Sequence, residues 1–275
     1  MKYINIVDFL SKYKGREITY VPNQGNGGDS VIAFATLQLF DKLGLKYKLS
    51  KDKRYKNKLL FFGGGGSMNG MWSTGINFLK KNHKDNEIVV LPHSYALIGN
   101  NQNELKKILS SLGDNVTLIA RELKSSEALS FFPHKSNIHY AHDLAFSITD
   151  IDQYKNASHI DVGYMMRTDG EGRKIWVKNC PGQNVDLSIE LQVKPSYWNI
   201  FERDGVNYSN QKMFEHVSQY KTIHTNRLHA AIVGALCGNN VKFYRNTYWK
   251  NASIYDGSFK PLNYTNVEFL DKPNW

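Results

Sequence analysis

The sequence predicts an α/β protein of two doubly wound units, and three observations carry that expectation. Short apolar runs alternate with stretches of helical period from residue 17 to about 150. The runs are apolar throughout rather than alternating with polar residues, which marks parallel strands covered on both faces. The length of 275 residues exceeds what one hydrophobic core usually holds, so two domains are expected, with one long domain as the alternative.

Taken in order, "EITYVP" precedes the helical "DSVIAFATLQLFDKLG", "KLLFFGG" precedes "GINFLKKNH", and "EIVVLPHS" precedes "NELKKILSSLG". "NVTLIARE" precedes "SSEALSFF", and "NIHYAHDLAF" closes the series. The apolar signal lapses in "TDIDQYKNAS", which places a boundary near 150 between a domain of residues 1–150 and a domain of residues 151–275. The pattern restarts with "HIDVGYMMR", passes through a less legible polar stretch to about 209, and continues with "QKMFEHVSQYK", "TIHTN", "RLHAAIVGALCG", "VKFYR" and a short final helix. The last residues are expected to pack back on the N-terminal domain. In such units ligands are expected beyond the carboxyl ends of the strands.

Composition narrows the function. With 41% hydrophobic and 22% charged residues the chain reads as a folded protein rather than a disordered one. No stretch approaches the roughly 18 to 20 apolar residues of a membrane span, and "MKYINIVDFLSKYKGRE" has no signal-peptide core, so a cytoplasmic chain is expected. Cys180 and Cys237 are too few for a disulfide framework and read as ordinary thiols, and no ligand set calls for a metal. The net charge of +10 implies an anionic partner. Its densest cluster, "KLSKDKRYKNK", reads as a solvated loop or edge, or as a contact to phosphate or to a membrane surface; scattered basic residues argue against nucleic acid. Aromatic residues at 13% suit sugar stacking as well as a core.

Several strand ends carry residues suited to chemistry. In "PNQGNGGDS", Asp29 or Ser30 can cap the next helix, or Asn23, Asn26 and Asp29 can hold sugar hydroxyls. In "FFGGGGSMNG" the backbone of Gly64 and Gly65 can cradle an anion or lie against a sugar, but the Gly-Lys-Ser/Thr of a P-loop is missing. Arg167 ends an apolar strand as a surface residue or as a fork for a carboxylate or phosphate. In "HTNRLHAAIVGALCG" Arg227 and His229 open an apolar helix, where a cation costs about 0.3 to 1 kcal/mol unless an anion joins it. The ordinary reading makes Arg227 a surface residue and His229 a packed one. Arg245, Asn246, Tyr248 and Lys250 follow in "YRNTYWKN", and so many donors on neighbouring loops argue for a polyanionic small molecule.

At this point the chain resembles the polysaccharide pyruvyltransferase family. "NGGDS", "FFGGGG", "LPHS", "ARELKSS", "HDLAF", "MMRTD", "TNRLHAAIVGALCG" and "YRNTYWKN" are similar, in order and spacing, to that family's motifs. The resemblance implies two Rossmann-like domains facing across a cleft, GT-B-like, with the acceptor on the N-terminal side and the donor on the C-terminal side. It implies transfer of pyruvate from phosphoenolpyruvate to a sugar of a surface polysaccharide, or of its lipid-diphosphate-linked precursor, as a cyclic ketal, without a cofactor. Peripheral contact with the inner membrane would suit such a precursor. His229 is then the acid and Asp29 a base or acceptor contact. Arg167, Arg227, Lys250 and Asn246 hold the donor; Asn23, Asn26, Gly64, Gly65 and His93 hold the acceptor. His93 departs from the Gln frequent in the family, and residues 170–209 match little of it, which makes them the expected seat of acceptor identity. The rival readings are a nucleotide-sugar glycosyltransferase on the same architecture and a non-catalytic carbohydrate-binding subunit.

Overall fold

A computed structural model describes residues 1–155, 157–191 and 199–275. The chain forms two compact units: Met1–Gln24, Ala35–Leu144 and Ile200–Glu202 make the first, and Gly25–Phe34, Ala145–Asn199 and Arg203–Trp275 the second. Both are α/β, as the periodicity predicts, and every strand pairing in both sheets is parallel.

In chain order, the elements from the amino terminus are β1 (Lys2–Tyr3), α1 (Ile6–Ser11), β2 (Glu17–Val21), α2 (Gly27–Lys42), β3 (Lys46–Leu49), β4 (Leu59–Phe62) and β5 (Gly65–Asn69). There follow α3 (Thr74–Asn82), β6 (Glu87–Ala96), α4 (Gln102–Ser111), β7 (Val116–Ala120), α5 (Ser126–Leu129) and β8 (Ile138–Tyr140). The first sheet runs β1-β8-β7-β6-β4-β2-β3, with β5 also on β6. Leu105, Ile108 and Leu109 of α4 are buried at the i, i+3, i+4 spacing of a helix face. They join Leu60, Phe62, Val90 and Leu118 in one apolar cluster.

The order reverses at β2, which has β3 on one side and β4 on the other. Loops beyond the carboxyl ends of strands at such a switch point favour ligands, and here they begin at Pro22 and Gly63. Pro92 lies inside the central strand β6, a position that ordinarily loses a ladder hydrogen bond. The ladder makes room for it: β6 passes from β4 to β5 there, and its register with β7 shifts between Val90 and His93. The basic cluster supplies edge strand β3 and an exposed loop, whose backbone is held at Tyr55 by Asn82 (2.9 Å) and at Lys58 by Asn86 (3.0 Å).

The second unit contains β9 (Ile160–Met165), α6 (Lys174–Lys178), α7 (Leu187–Glu190), α8 (Arg203–Ser218), β10 (Tyr220–Thr225), α9 (Leu228–Cys237), β11 (Asn240–Tyr244), α10 (Lys250–Ile254) and β12 (Val267–Leu270). Its sheet runs β12-β11-β10-β9. Helix α9 is buried on nearly all sides, as its composition, apolar apart from His229, requires, and ends at Gly238, whose φ of 86° is the left-handed conformation of a helix C-terminus.

The end of the chain departs from expectation. Trp275 packs on the second unit's own sheet, against Tyr164, His224 and Tyr244, with ring centroids 5.4, 5.1 and 5.9 Å away. Its indole N–H donates to the Trp176 carbonyl at 3.2 Å. Three rings on three neighbouring strands offer that tryptophan an apolar seat within its own unit. Among the described residues no helix is long and apolar enough to cross a membrane.

Candidate active site

Three adjacent parallel strands of the second unit, β9, β10 and β11, end in the residues that the sequence singles out as donor ligands. Arg167 follows β9, Arg227 follows β10, and Asn246 and Lys250 follow β11. The strand ends are tied together by amides. Asn226 Oδ1 accepts from Arg167 N–H at 2.7 Å, and Asn251 Nδ2 donates to the carbonyls of Asn226 and Tyr244, both at 2.9 Å. Arg227 occupies the N-cap of α9, so the helix begins where the sequence places it. Its own N–H is taken by Thr225 Oγ1 at 3.0 Å, and among the described residues no side chain caps the helix.

The cations are buried in one ionic network. Arg227 Nε and Nη2 donate to the two oxygens of Asp186, each at 2.7 Å, and Nη1 lies 2.8 Å from Asp169. Arg167 grips Asp169 with Nε and Nη2, both at 2.9 Å, and reaches Glu171 with Nη1 at 2.8 Å. Lys250 and Asn246 donate to the same Glu171 oxygen at 2.5 and 3.3 Å. Burial alone would lower the pKa of Arg167, but Glu171 and Asp169 carry it above its ordinary value. Burial would raise Asp169, but Arg167 and Arg227 hold it below the usual carboxylate range. Its share of stability is therefore complete at neutral pH and is lost as the pH falls through that depressed value.

Asp169, Glu171 and Asp186 join the site without having stood out in the sequence. Asp169 and Glu171 follow Arg167 in "RTDGEG", a local signal for an arginine fork with its own carboxylates. Asp186 has no local signal. It pairs across 41 residues with Arg227 and also accepts from the N–H and hydroxyl of Thr168, at 2.7 and 2.8 Å.

His229 lies in the first turn of α9 and stays half-buried where Asn226, Arg227 and Leu228 are buried. Its ring rests on Gly28: a Cβ built there would stand 2.2 Å from His229 Nδ1. Segment 25–34 thus belongs with the second unit, and its glycine is required by a side chain about two hundred positions away. Asn26 caps α2, its Oδ1 accepting from Gly28 N–H at 2.8 Å, while Asp29 Oδ2 accepts from Asn26 N–H at 2.9 Å. Asn26 rather than Asp29 or Ser30 is therefore the N-cap, and both Asn26 and Asp29 remain half-buried near the His229 ring's glycine seat.

The first unit holds the other predicted positions. Gly64 lies buried between β4 and β5, and Gly65, also buried, opens β5 at φ 140°. The neighbouring Gly63 approaches backbone, not ligand: its N–H donates to Val21 at 2.8 Å, and a Cβ would sit 2.6 Å from Asn23 N. Asn23 Oδ1 accepts from Ser67 Oγ at 2.8 Å, and His93 Nε2 accepts from Ser67 N–H at 2.8 Å. His93 is wholly buried, and its pKa is pushed down to about 3 by burial first and by Arg121 second. It is a neutral ring that holds the glycine-rich strand through Ser67.

Three motifs that stand apart in the sequence meet beside it. Arg121 donates to Ser94 Oγ at 2.8 Å and to Asp143 at 2.6 Å; Ser94 donates to Glu122 at 2.9 Å, and Ser125 donates to the other Glu122 oxygen. Ser94, Arg121, Glu122, Ser125 and Asp143 thus join "LPHS", "ARELKSS" and "HDLAF" through one buried polar network at the ends of β6, β7 and β8.

The polysaccharide pyruvyl transferase family model matches residues 26–239. The chain belongs to that family. A curated Bacillus subtilis (strain 168) protein named "Putative pyruvyl transferase EpsO" is 22% identical over 289 residues, covering 92% of this chain and 88% of its own. The crystal structure of a functionally uncharacterized protein from Klebsiella pneumoniae subsp. pneumoniae NTUH-K2044 superposes with a TM-score of 0.74 at 25% identity, covering 97% of each chain.

Within this pyruvyl transferase the matched region contains Arg167, Arg227 and His229 and ends before Asn246 and Lys250, which Glu171 binds to the same network. Gly28→Ala tests the seat of His229. The new methyl would force the ring off Gly28, so kcat is expected to fall by about 10²-fold while the unfolding midpoint changes little. Turnover and thermal unfolding of the variant decide it; wild-type kcat would show that His229 does not depend on that seat.

Proposed function

We propose that the chain transfers pyruvate from phosphoenolpyruvate onto a sugar of a polysaccharide, or of its lipid-linked precursor, as a cyclic ketal. The observation that carries this reading is the convergence of Arg167, Arg227 and Lys250 from three neighbouring strand ends onto one pair of carboxylates. Such a set suits a small molecule with a carboxylate and a phosphate. Asn226 adds to it: its Oδ1 holds Arg167, and its buried Nδ2 has no hydrogen-bond partner among the described residues, so a substrate oxygen would satisfy it.

In the proposed reaction His229 protonates the methylene carbon of the enol, and positive character develops at the neighbouring carbon. A sugar hydroxyl adds there and gives its proton to Asp29. The C–O bond to phosphate then breaks, a second hydroxyl adds to the same carbon and closes the ketal, and inorganic phosphate is released. The proton held by Asp29 leaves with the phosphate, and the proton of the second hydroxyl restores His229. Arg167, Arg227, Lys250 and Asn246 stabilise the charge that passes to the departing phosphate. In this GT-B-like scheme the second unit binds the donor, and the first binds the acceptor through Asn23, Ser67 and the backbone of Gly64 and Gly65.

The test is incubation with phosphoenolpyruvate and a panel of glycosides, free and lipid-linked. Mass spectrometry is expected to find a pyruvate ketal, with one inorganic phosphate released per ketal. Release of a nucleoside diphosphate from a nucleotide sugar would replace this reading by a glycosyltransferase. Sugar binding with no turnover on any acceptor would make the chain a binding subunit.

A further inference from the structure

The donor cluster is electrically balanced by the protein itself. Arg167, Arg227 and Lys250 are matched by Asp169, Glu171 and Asp186. An anionic donor entering this largely buried set adds uncompensated negative charge unless a carboxylate gives way. The three carboxylates are not equally built in. Asp186 has a side chain only 6% exposed and accepts from Thr168 N–H, Thr168 Oγ1 and two nitrogens of Arg227. Glu171 is 4% exposed, binds Arg167, Lys250 and Asn246, and has its backbone carbonyl held by Thr247 N–H at 3.2 Å.

Asp169 differs from both. Its side chain is 20% exposed, and it spans the two guanidinium groups, taking the fork of Arg167 and Nη1 of Arg227. Among the described residues its contact to backbone is local, Oδ1 accepting from Glu171 N–H at 3.1 Å. The next residue is exposed Gly170, where even a Cβ would meet nothing within 4 Å, so the chain beside Asp169 has room to turn.

We propose that Asp169 is an internal stand-in for the donor's anionic group: it keeps Arg167 and Arg227 aligned and neutralised before the donor arrives, and it yields its place to the carboxylate or phosphate of phosphoenolpyruvate. The inference rests on the donor-site reading above. It gives the site a release device as well, because Asp169 returns as a competing anion once inorganic phosphate has formed.

The sign of one substitution separates this from a structural role. In calorimetric titrations Asp169→Asn is expected to bind phosphoenolpyruvate and inorganic phosphate each about tenfold more tightly than wild type, since a competing charge is gone while the side-chain shape remains. Asp169→Ser, which gives up the shape as well, is expected to shift the same way. Unchanged or weaker binding of both anions by the folded variants would overturn the proposal, and so would failure of both variants to fold, which would make Asp169 a structural counter-ion. Wild type and Arg227→Ala titrated alongside separate the two readings. If they bind the donor alike, the donor site itself is misplaced and the proposal falls with it. If only Arg227→Ala loses the donor and Asp169→Asn shows no gain, the stand-in role alone fails.

Discussion

His229→Ala is expected to lose turnover by about 10² to 10⁴-fold while phosphoenolpyruvate still binds, because the proposed general acid is removed and the cationic cluster is left in place. The histidine is set apart from its neighbours by accessibility: residues 226–228 are buried and the Arg227 guanidinium is spent on Asp186 and Asp169, whereas the His229 ring is half-buried and rests on a glycine. His229→Gln, which keeps a polar side chain but carries no acidic proton, is expected to be as slow. Single-turnover rates beside calorimetry distinguish a loss of chemistry from a loss of affinity, and wild-type kcat in either variant would remove His229 from the reaction.

Arg227→Ala is expected to have the largest combined effect, weakening donor binding and lowering the stability of the protein by about 3 to 5 kcal/mol. Removing one partner from a buried ion network leaves the other uncompensated, and here it leaves Asp186, among the described residues, with the Thr168 donors and takes one of two guanidinium groups from Asp169. Arg227→Lys restores the charge but not the fork that spans both Asp186 oxygens, so it should recover little of either property. Denaturant unfolding and donor titration of the two variants check this. Full stability in Arg227→Ala would mean that the network contributes little, and full donor affinity would place the donor elsewhere.

The cation at the mouth of an apolar helix was a conflict in the sequence, and the structure resolves it twice over. Arg227 does sit at the helix start, as the pattern of "TIHTNRLHAAIVGALCG" implies. Its permanent counter-charge is the protein's own Asp186, and Asp169 is the proposed substrate-exchangeable one. The glycine-rich strand shows the opposite outcome. Four glycines after an apolar run suggest a ligand cradle, yet at Gly63 the space is needed by the backbone at Pro22 and Asn23. A glycine run says that something comes close without saying what.

Legibility followed the range of the forces involved. The amphipathic face of α4 and the wholly apolar β4 are written in consecutive residues, so their period discloses them. The two-residue β1 and the edge strand β3 escape, since one is too short for any period and the other is hidden in basic residues. Residues 174–190 form only short helical turns, α6 and α7, which leave little apolar rhythm to read, and part of the expected acceptor segment, 192–198, lies outside the described residues.

By itself the sequence determined the parallel α/β architecture and the strand ends that carry Arg167, Arg227 and Lys250, because apolar runs, helical period and the position of a charge within them are local properties of the chain. Only the tertiary structure decided what those cations touch. Lys250 meets Glu171 across 79 residues and Arg227 meets Asp186 across 41, and His229 finds its seat on Gly28, near the other end of the chain. Such meetings depend on the order of strands in a sheet and on the crossovers that join them, which no stretch of neighbouring residues encodes.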